Sequence, residues 1–369
     1  MSYTIITYVS YFCNCFFANK PHHPPQIARN IAKILNKCAA FGYNEAMQTI
    51  IGDKTYLPQA ARLIIEGGLV AFPTETVYGL GANAFDPTAV ERIFVCKGRP
   101  QDNPLIVHLA SFEALRDVVA DVPPLARVLY DRFCPGPLTM IMPKGPTVPS
   151  VVTAGLTTVG IRFPSHPVAR ELISLSRPIA APSANVSKHV SPTTARHVYD
   201  DLAGKIPLIL DGGTCSVGIE STIVDLTSDI PTILRPGAIT KEMLAEVTMV
   251  ATHSGEVKIA LAPGMKYMHY SPRCDCTMCA KDEIARVYRD SVDRGVKAVV
   301  LAQQSTLDSL PFPVQSRTLG DSPTMIMHEL YAALREAETQ YQLIILEQFE
   351  ESGVLYSVMN RAKKSVNVR

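Results

Sequence analysis

Residues 69–81 read LVAFPTETVYGLG. Leu69 to Phe72 is an apolar run of strand length. Two hydroxyls (Thr74, Thr76), a carboxylate (Glu75) and a phenol (Tyr78) follow at once. In an α/β sheet, ligands gather beyond the carboxyl ends of the strands. Gly79 and Gly81 would let a backbone come close to such a ligand. On local pattern alone, a turn rich in small polar groups reads equally well.

Working outward, Leu57 to Glu66 predicts a helix closed by Gly67-Gly68. Asp86-Pro87 predicts a helix start, with aspartate as N-cap and proline in the first turn. Leu105 to Leu109 reads as a buried strand, with Ser111 capping the helix after it. Leu125 to Phe133 is helical until Pro135-Gly136-Pro137 breaks it, and Leu138 to Met142 is the next strand. The alternation continues through Thr158–Phe163, His166–Leu175, Pro178–Ala181, Thr193–Leu202, Leu208–Leu210 and Ser221–Leu226. It predicts an α/β domain with a largely covered sheet. Residues 251–280 lack a period and contain Pro263, Gly264 and Pro272, the composition of a linker. A second α/β unit follows, with strands at Lys297–Ala302 and Leu343–Leu346 and a helical face of Leu330, Ala333, Leu334 and Ala337. The expected division is an extension at 1–46, a domain at 47–250, a linker at 251–280 and a smaller domain at 281–369.

The chain has 369 residues, 47% of them hydrophobic and 19% charged, which suits a buried core and argues against disorder. A net charge of +1 excludes a chain built to coat nucleic acid or anionic membrane, although a local basic cleft is compatible with it. Nine scattered cysteines point to a reducing compartment, with cytoplasmic location as the expectation. No apolar run reaches the length of a bilayer span. Residues 1–44 lack Asp and Glu but carry Lys20, Arg29, Lys33 and Lys37. Such a leader reads as an organelle-targeting segment, mitochondrial targeting included, or as an extension ahead of a start at Met47.

Four more segments could carry chemistry. Lys97-Gly98-Arg99-Pro100, then Asn103-Pro104 and His108, puts two cations about a flexible glycine, which suits a polyphosphate. A solvated basic surface is the plainer reading, and a histidine in an apolar run is usually a satisfied core residue. Ala181-Pro182-Ser183-Ala184-Asn185 and Ser191-Pro192 offer hydroxyl and amide groups after a strand. Gly213 and Gly218 have P-loop spacing, but Ile219 and Glu220 replace the Lys and Ser/Thr such a loop needs, so no Walker site is present. Arg235-Pro236-Gly237 adds one more cation at a turn. Cys274, Cys276 and Cys279, with His269 as a fourth ligand, could hold zinc. The favoured reading is a strand with Cys274, Cys276 and Met278 on one face, so no metal site is assigned.

In order and combination these segments resemble the YrdC family of threonylcarbamoyl-AMP synthases in its longer, two-domain form. The matching text is PTETVYGLG at 73–81, KGRPQDNPLIVH at 97–108, IRFPSHP at 161–167, APSANVS at 181–187, and GIESTIVD with RPG within 218–237. Met268-His269-Tyr270-Ser271-Pro272 is similar to the linker motif that closes the longer form's active site, and Met359-Asn360-Arg361 supports the second domain. The resemblance implies an open twisted α/β sheet with a concave, positively lined cavity, plus a smaller Rossmann-like α/β domain. It implies synthesis of L-threonylcarbamoyl-adenylate and pyrophosphate from L-threonine, bicarbonate and ATP, for threonylcarbamoyladenosine modification of tRNA. Lys97, Arg99, Arg162, Ser183 and Asn185 would be catalytic. Thr76, His108, Ala181 and Ser221 would surround threonine. Arg99, Asn103, Thr158, Arg162, Ser183, Ser191, Arg235 and Tyr270 would contact ATP.

The same resemblance implies magnesium on the phosphates, no tightly bound prosthetic group, a TsaD-type transferase downstream, tRNA contact as a further expectation, and no membrane partner. Two rivals stand beside it. A non-catalytic RNA binder of the same fold should carry a surplus of positive charge, which the chain lacks. A carbamoyl-transfer enzyme of hydrogenase maturation would need upstream catalytic and zinc-finger domains. The residues before Thr55 are too few and lack paired C-x2-C motifs.

Overall fold

The computed structural model describes residues 47–253, 262–263 and 270–368. The extension at 1–46 and the linker residues Met268 and His269 lie outside the described residues.

The first domain carries strands β1 (Ile50–Gly52), β2 (Val70–Phe72), β3 (Gly79–Asn83), β4 (Ile106–His108), β5 (Leu138–Pro143), β6 (Thr158–Arg162), β7 (Ile179–Ala181), β8 (Leu208–Leu210), β9 (Thr222–Asp225), β10 (Thr232–Arg235) and β11 (Ala251–Thr252). Its helices are α1 (Leu57–Ile65), α2 (Pro87–Lys97), α3 (Pro124–Phe133), α4 (Ser150–Thr153), α5 (Pro167–Leu175), α6 (Ala195–Leu202) and α7 (Lys241–Ala245). The strands form one mixed sheet in the order β1-β8-β2-β3-β7-β4-β6-β5-β9-β10-β11. One apolar layer contains Leu80, Val107, Met140 and Ile161, and another contains Ile64, Phe72, Leu172 and Leu210.

The opening stretch does more than turn. After the loop at 73–78 the chain returns as β3, antiparallel to β2, with Phe72 opposite Gly79. A Cβ on Gly81 would sit 2.7 Å from Ile179 Cγ2 and 2.9 Å from Phe72 Cε1. Gly81 therefore leaves room for neighbouring side chains, where the sequence suggested room for a ligand. The start of α2 follows its sequence: Asp86 Oδ1 accepts from the Thr88 and Ala89 amides at 2.9 and 3.2 Å, ahead of Pro87. It ends on left-handed Gly98 (φ 60°), with Arg99 N–H donating to Phe94 O and Gly98 N–H to Val95 O. This is the Schellman pattern. Ser111 precedes a 3-10 helix, Phe112–Asp117, and its side chain makes no capping bond. The capping expectation for Ser111 is thus corrected.

The second sheet holds β12 (Asp275–Cys279), β13 (Ala298–Ala302), β14 (Ser316–Thr318) and β15 (Leu343–Glu347), all parallel, in the order β12-β15-β13-β14. Helices α8 (Ile284–Asp293), α9 (Gln304–Asp308), α10 (Pro323–Ala337) and α11 (Gly353–Ser365) complete it. Strand β12 lies inside the stretch read as linker. Cys274, Cys276 and Met278 pack into one apolar cluster, and Cys279 packs into another. The cluster that takes Cys276 spans both domains, joining Val77, Val190 and Ile219 to Tyr270, Leu330 and Tyr331. Among the described residues no helix is long and apolar enough to cross a membrane.

Candidate active site

A cavity opens over the β2–β3 turn and the ends of the central strands. Arg99, Arg162, Ser183, Asn185, His108, Ala181, Ser221, Ser191, Arg235 and Tyr270 all lie on its wall. Thr158 lines an adjoining recess that shares Ile106 and Pro263 with the main cavity. Lys97, Thr76 and Asn103 are buried behind the wall.

The helix end at Gly98 sends its two flanking cations in different directions. Lys97, 2% exposed, points inward. Its Nζ donates to Ser183 O at 2.5 Å, to Asn185 O, and to Asn185 Oδ1 at 3.5 Å. Burial, then the charge of Arg99, presses the Lys97 pKa well below the usual lysine value. Three oxygen acceptors nevertheless match the three N–H bonds of an ammonium. Arg99 reaches the cavity, and its Nη2 donates to the backbone oxygens of Asn103 and Pro104 at 3.4 and 3.2 Å. Asn185 closes its own loop: its Oδ1 accepts from Ser183 Oγ at 2.5 Å, and its Nδ2 donates to the oxygens of Val186 and His189 at 2.8 Å each.

The opposite wall starts from the residues after β2. Thr74 Oγ1 donates to Val77 O at 2.6 Å and lies 2.9 Å from Thr76 Oγ1. Arg162 Nη2 donates to Thr74 Oγ1 at 3.3 Å and pairs with Glu75 Oε1 at 2.9 Å, both side chains buried. Glu75 Oε2 accepts from the Ser165 amide at 3.1 Å. His108 meets Phe72 edge-on at 5.8 Å, and its Nδ1 donates to Ile106 O at 3.2 Å. Burial, with the charge of Arg162 adding to it, pushes the His108 pKa down to about 3, so the imidazole is neutral at pH 7. Arg235 clamps Ser221: Nε and Nη2 donate to its backbone oxygen at 3.1 and 3.0 Å, and Nη2 to its Oγ at 3.1 Å.

Glu220 and His189 are among the wall residues not assigned from the sequence. Glu220 entered only as a departure from a P-loop, although it stands in the quoted GIESTIVD. His189 had no local signal at all. Its ring is held between Asp201 (Nδ1 to Oδ1, 3.0 Å) and Glu338 (Nε2 to Oε1, 2.8 Å). Arg335 and Arg273 also pair with Asp201, at 2.8 and 3.1 Å, so four elements converge there. Burial opposes a charge on His189, but the bonds to Asp201 and Glu338 prevail and raise its pKa.

A raised histidine pKa contributes stability that is fully present below its unfolded value, about 6.5, and is lost as pH rises through the folded value. Melting temperature in the wild-type chain will therefore fall more steeply than in His189→Gln as pH goes from 6 to 9. Parallel melting curves across that range would overturn the assignment.

The wall thus brings three guanidinium groups, Arg99, Arg162 and Arg235, to one cavity beside small hydroxyls and a neutral imidazole. Such a set can bind a polyphosphate next to a small zwitterion.

Comparison with known proteins points the same way. The Sua5/YciO/YrdC family model, described as "Telomere recombination", matches residues 62–237, and the Sua5 C-terminal model, "Threonylcarbamoyl-AMP synthase, C-terminal domain", matches 239–366. The chain is 45% identical to a threonylcarbamoyl-AMP synthase of Pyrococcus abyssi over 84% of its own length and 94% of the relative's. For the Bacillus subtilis protein of the same name the values are 43%, 85% and 93%. A crystal structure of Pyrococcus abyssi Sua5 complexed with L-threonine superposes with a TM-score of 0.80 at 43% identity, covering 86% of this chain and 96% of that one.

Proposed function

Because the chain belongs to the Sua5/YrdC family of threonylcarbamoyl-AMP synthases, we propose that it makes L-threonylcarbamoyl-adenylate and pyrophosphate from L-threonine, bicarbonate and ATP. The observation that carries this reading is the convergence of Arg99, Arg162 and Arg235 on one cavity. The threonine amine attacks bicarbonate, water leaves, and an N-carboxylate forms. A carbamate oxygen then attacks the α-phosphorus of ATP, and pyrophosphate departs. Negative charge gathers on phosphate oxygens in that step, so fixed cations and positioning supply most of the catalysis.

Arg99 and Arg235 serve the phosphates. Ser183 and Ser191, whose hydroxyls donate to Asn185 and Glu220, line the phosphate side of the cavity, and Asn103 and Thr158 complete the nucleotide side. Arg162 is shared between the phosphates and the threonine carboxylate. Neutral His108, with Thr76, Ala181 and Ser221, shapes the threonine side. Lys97 acts through the Ser183–Asn185 loop. Tyr270 covers the cavity and keeps water from the labile carbamate.

Magnesium arrives on the nucleotide as part of the substrate, coordinated by phosphate oxygens and water. Glu220, the carboxylate on the wall, is already engaged by protein donors. The product passes to a TsaD-type transferase that modifies tRNA, in a cytoplasmic setting consistent with the scattered free cysteines.

The test is incubation with ATP, magnesium, bicarbonate and L-threonine, omitting each in turn. Pyrophosphate and threonylcarbamoyl-adenylate that need every substrate are expected. Folded protein that binds ATP yet makes no product with fresh bicarbonate would refute the reading. RNA binding would then be measured.

A further inference from the structure

Glu220 is a carboxylate on the wall of a cavity read here as a phosphate site, a placement that would ordinarily repel the ligand. It is 7% exposed and is held from both domains. Oε1 accepts from Ser191 Oγ at 2.6 Å, within the first domain. Oε2 accepts from Tyr331 Oη at 2.9 Å, on α10, and from Arg361 Nε at 3.2 Å, on α11. Arg361 also donates from Nη1 to Pro236 O at 2.6 Å, beside Arg235. Tyr331 in turn stacks on Tyr270, with ring centroids 5.4 Å apart and planes at 27°. Tyr270 sits in left-handed backbone at φ 69°, which a tyrosine adopts only when its surroundings hold it.

We propose that the second domain completes the nucleotide half of the cavity through Glu220. Arg361 cancels the carboxylate's charge and Tyr331 fixes its orientation. Glu220 then fixes the Ser191 side chain by accepting a hydrogen bond from its hydroxyl, while Tyr331 holds Tyr270 over the site. Glu220, Tyr331 and Arg361 are positioning residues, and their role rests on the functional reading above. Burial alone would raise the Glu220 pKa, yet the charges of Arg361 and Arg235 and the Ser191 bond outweigh it and bring the value to about 2. Glu220 is therefore ionised at pH 7. Without Arg361 the carboxylate would stand beside the phosphates with less of its charge offset.

The experiment compares wild type with Arg361→Met, the double variant Glu220→Gln/Arg361→Met, and Tyr331→Phe, all in the full chain. ATP affinity by calorimetry, KM for ATP and for L-threonine, and melting temperature are measured for each. Arg361→Met is expected to weaken ATP about tenfold, while KM for threonine stays within about twofold. Adding Glu220→Gln recovers most of the lost ATP affinity, because the harm lies in the unmatched charge. Tyr331→Phe keeps the ring stack, loses one bond, and weakens ATP about threefold.

Equal losses for ATP and threonine, absence of rescue in the double variant, or wild-type ATP affinity in Tyr331→Phe would overturn the proposal. If Arg361→Met does not fold, the ATP affinities of the double variant and Tyr331→Phe still decide. If the wild type binds ATP but makes no threonylcarbamoyl-adenylate, the functional reading fails on its own, and the calorimetric comparison still tests the role of Glu220.

Discussion

Arg99→Ala will lower threonylcarbamoyl-adenylate synthesis by about 10²–10³-fold, the typical loss when one fixed charge-stabilising donor is removed. The side chain is half-buried and reaches the cavity from a loop, with hydrogen bonds to the backbone oxygens of Asn103 and Pro104. A half-buried loop side chain of this kind should move the melting temperature by no more than about 2 °C, the shift expected of a sub-kilocalorie change in a chain this long. The signature is a large kinetic loss with an unchanged melting curve. Turnover near that of wild type would remove Arg99 from the site.

Lys97→Met will behave differently. Nζ feeds three oxygens, and its two bonds to Asn185 are buried. Leaving buried acceptors unpaired costs about 1–3 kcal/mol, so melting temperature and activity should fall together. Synthesis should drop about 100-fold, because the Ser183–Asn185 loop loses its anchor and with it the aim of Ser183. Lys97→Arg should not restore either quantity, since a broader planar fork replaces a compact ammonium in a closed pocket. Loss of activity with a wild-type melting curve would contradict this and put Lys97 in contact with substrate.

Local chemistry made much of the molecule legible. Asp86-Pro87 starts α2 where the text said it would, because capping is settled within a few residues, whereas Gly98 reads only as a flexible glycine between cations and turns out to end the helix. Strands such as Leu208–Leu210 were apparent as short apolar runs between turn signals. Strand β3 was hidden, because its glycines make room for Phe72 and Ile179 and so carry no strand propensity. The cations were visible and their division of labour was not: only the backbone reversal at Gly98 shows that Lys97 faces a loop and Arg99 faces the cavity. Glu220 with Arg361 and Asp201 with Arg335 were beyond reach for a further reason. Their separations of 141 and 134 residues leave no pattern in any local window.

Those separations also set an order of events during synthesis. The strands of the first sheet, which end at Thr252, are all in hand while Arg335, Glu338 and Arg361 have yet to be translated. At ~5–20 residues per second, the 141 positions from Glu220 to Arg361 take roughly 7–28 s. Through most of that interval Glu220 has Arg235 without Arg361, Asp201 has His189 without Arg335, and Tyr270 has no Tyr331 ring to rest on. The nascent catalytic half therefore waits as an incompletely closed body. Its last buried charges are matched only as the C-terminal helix leaves the ribosome.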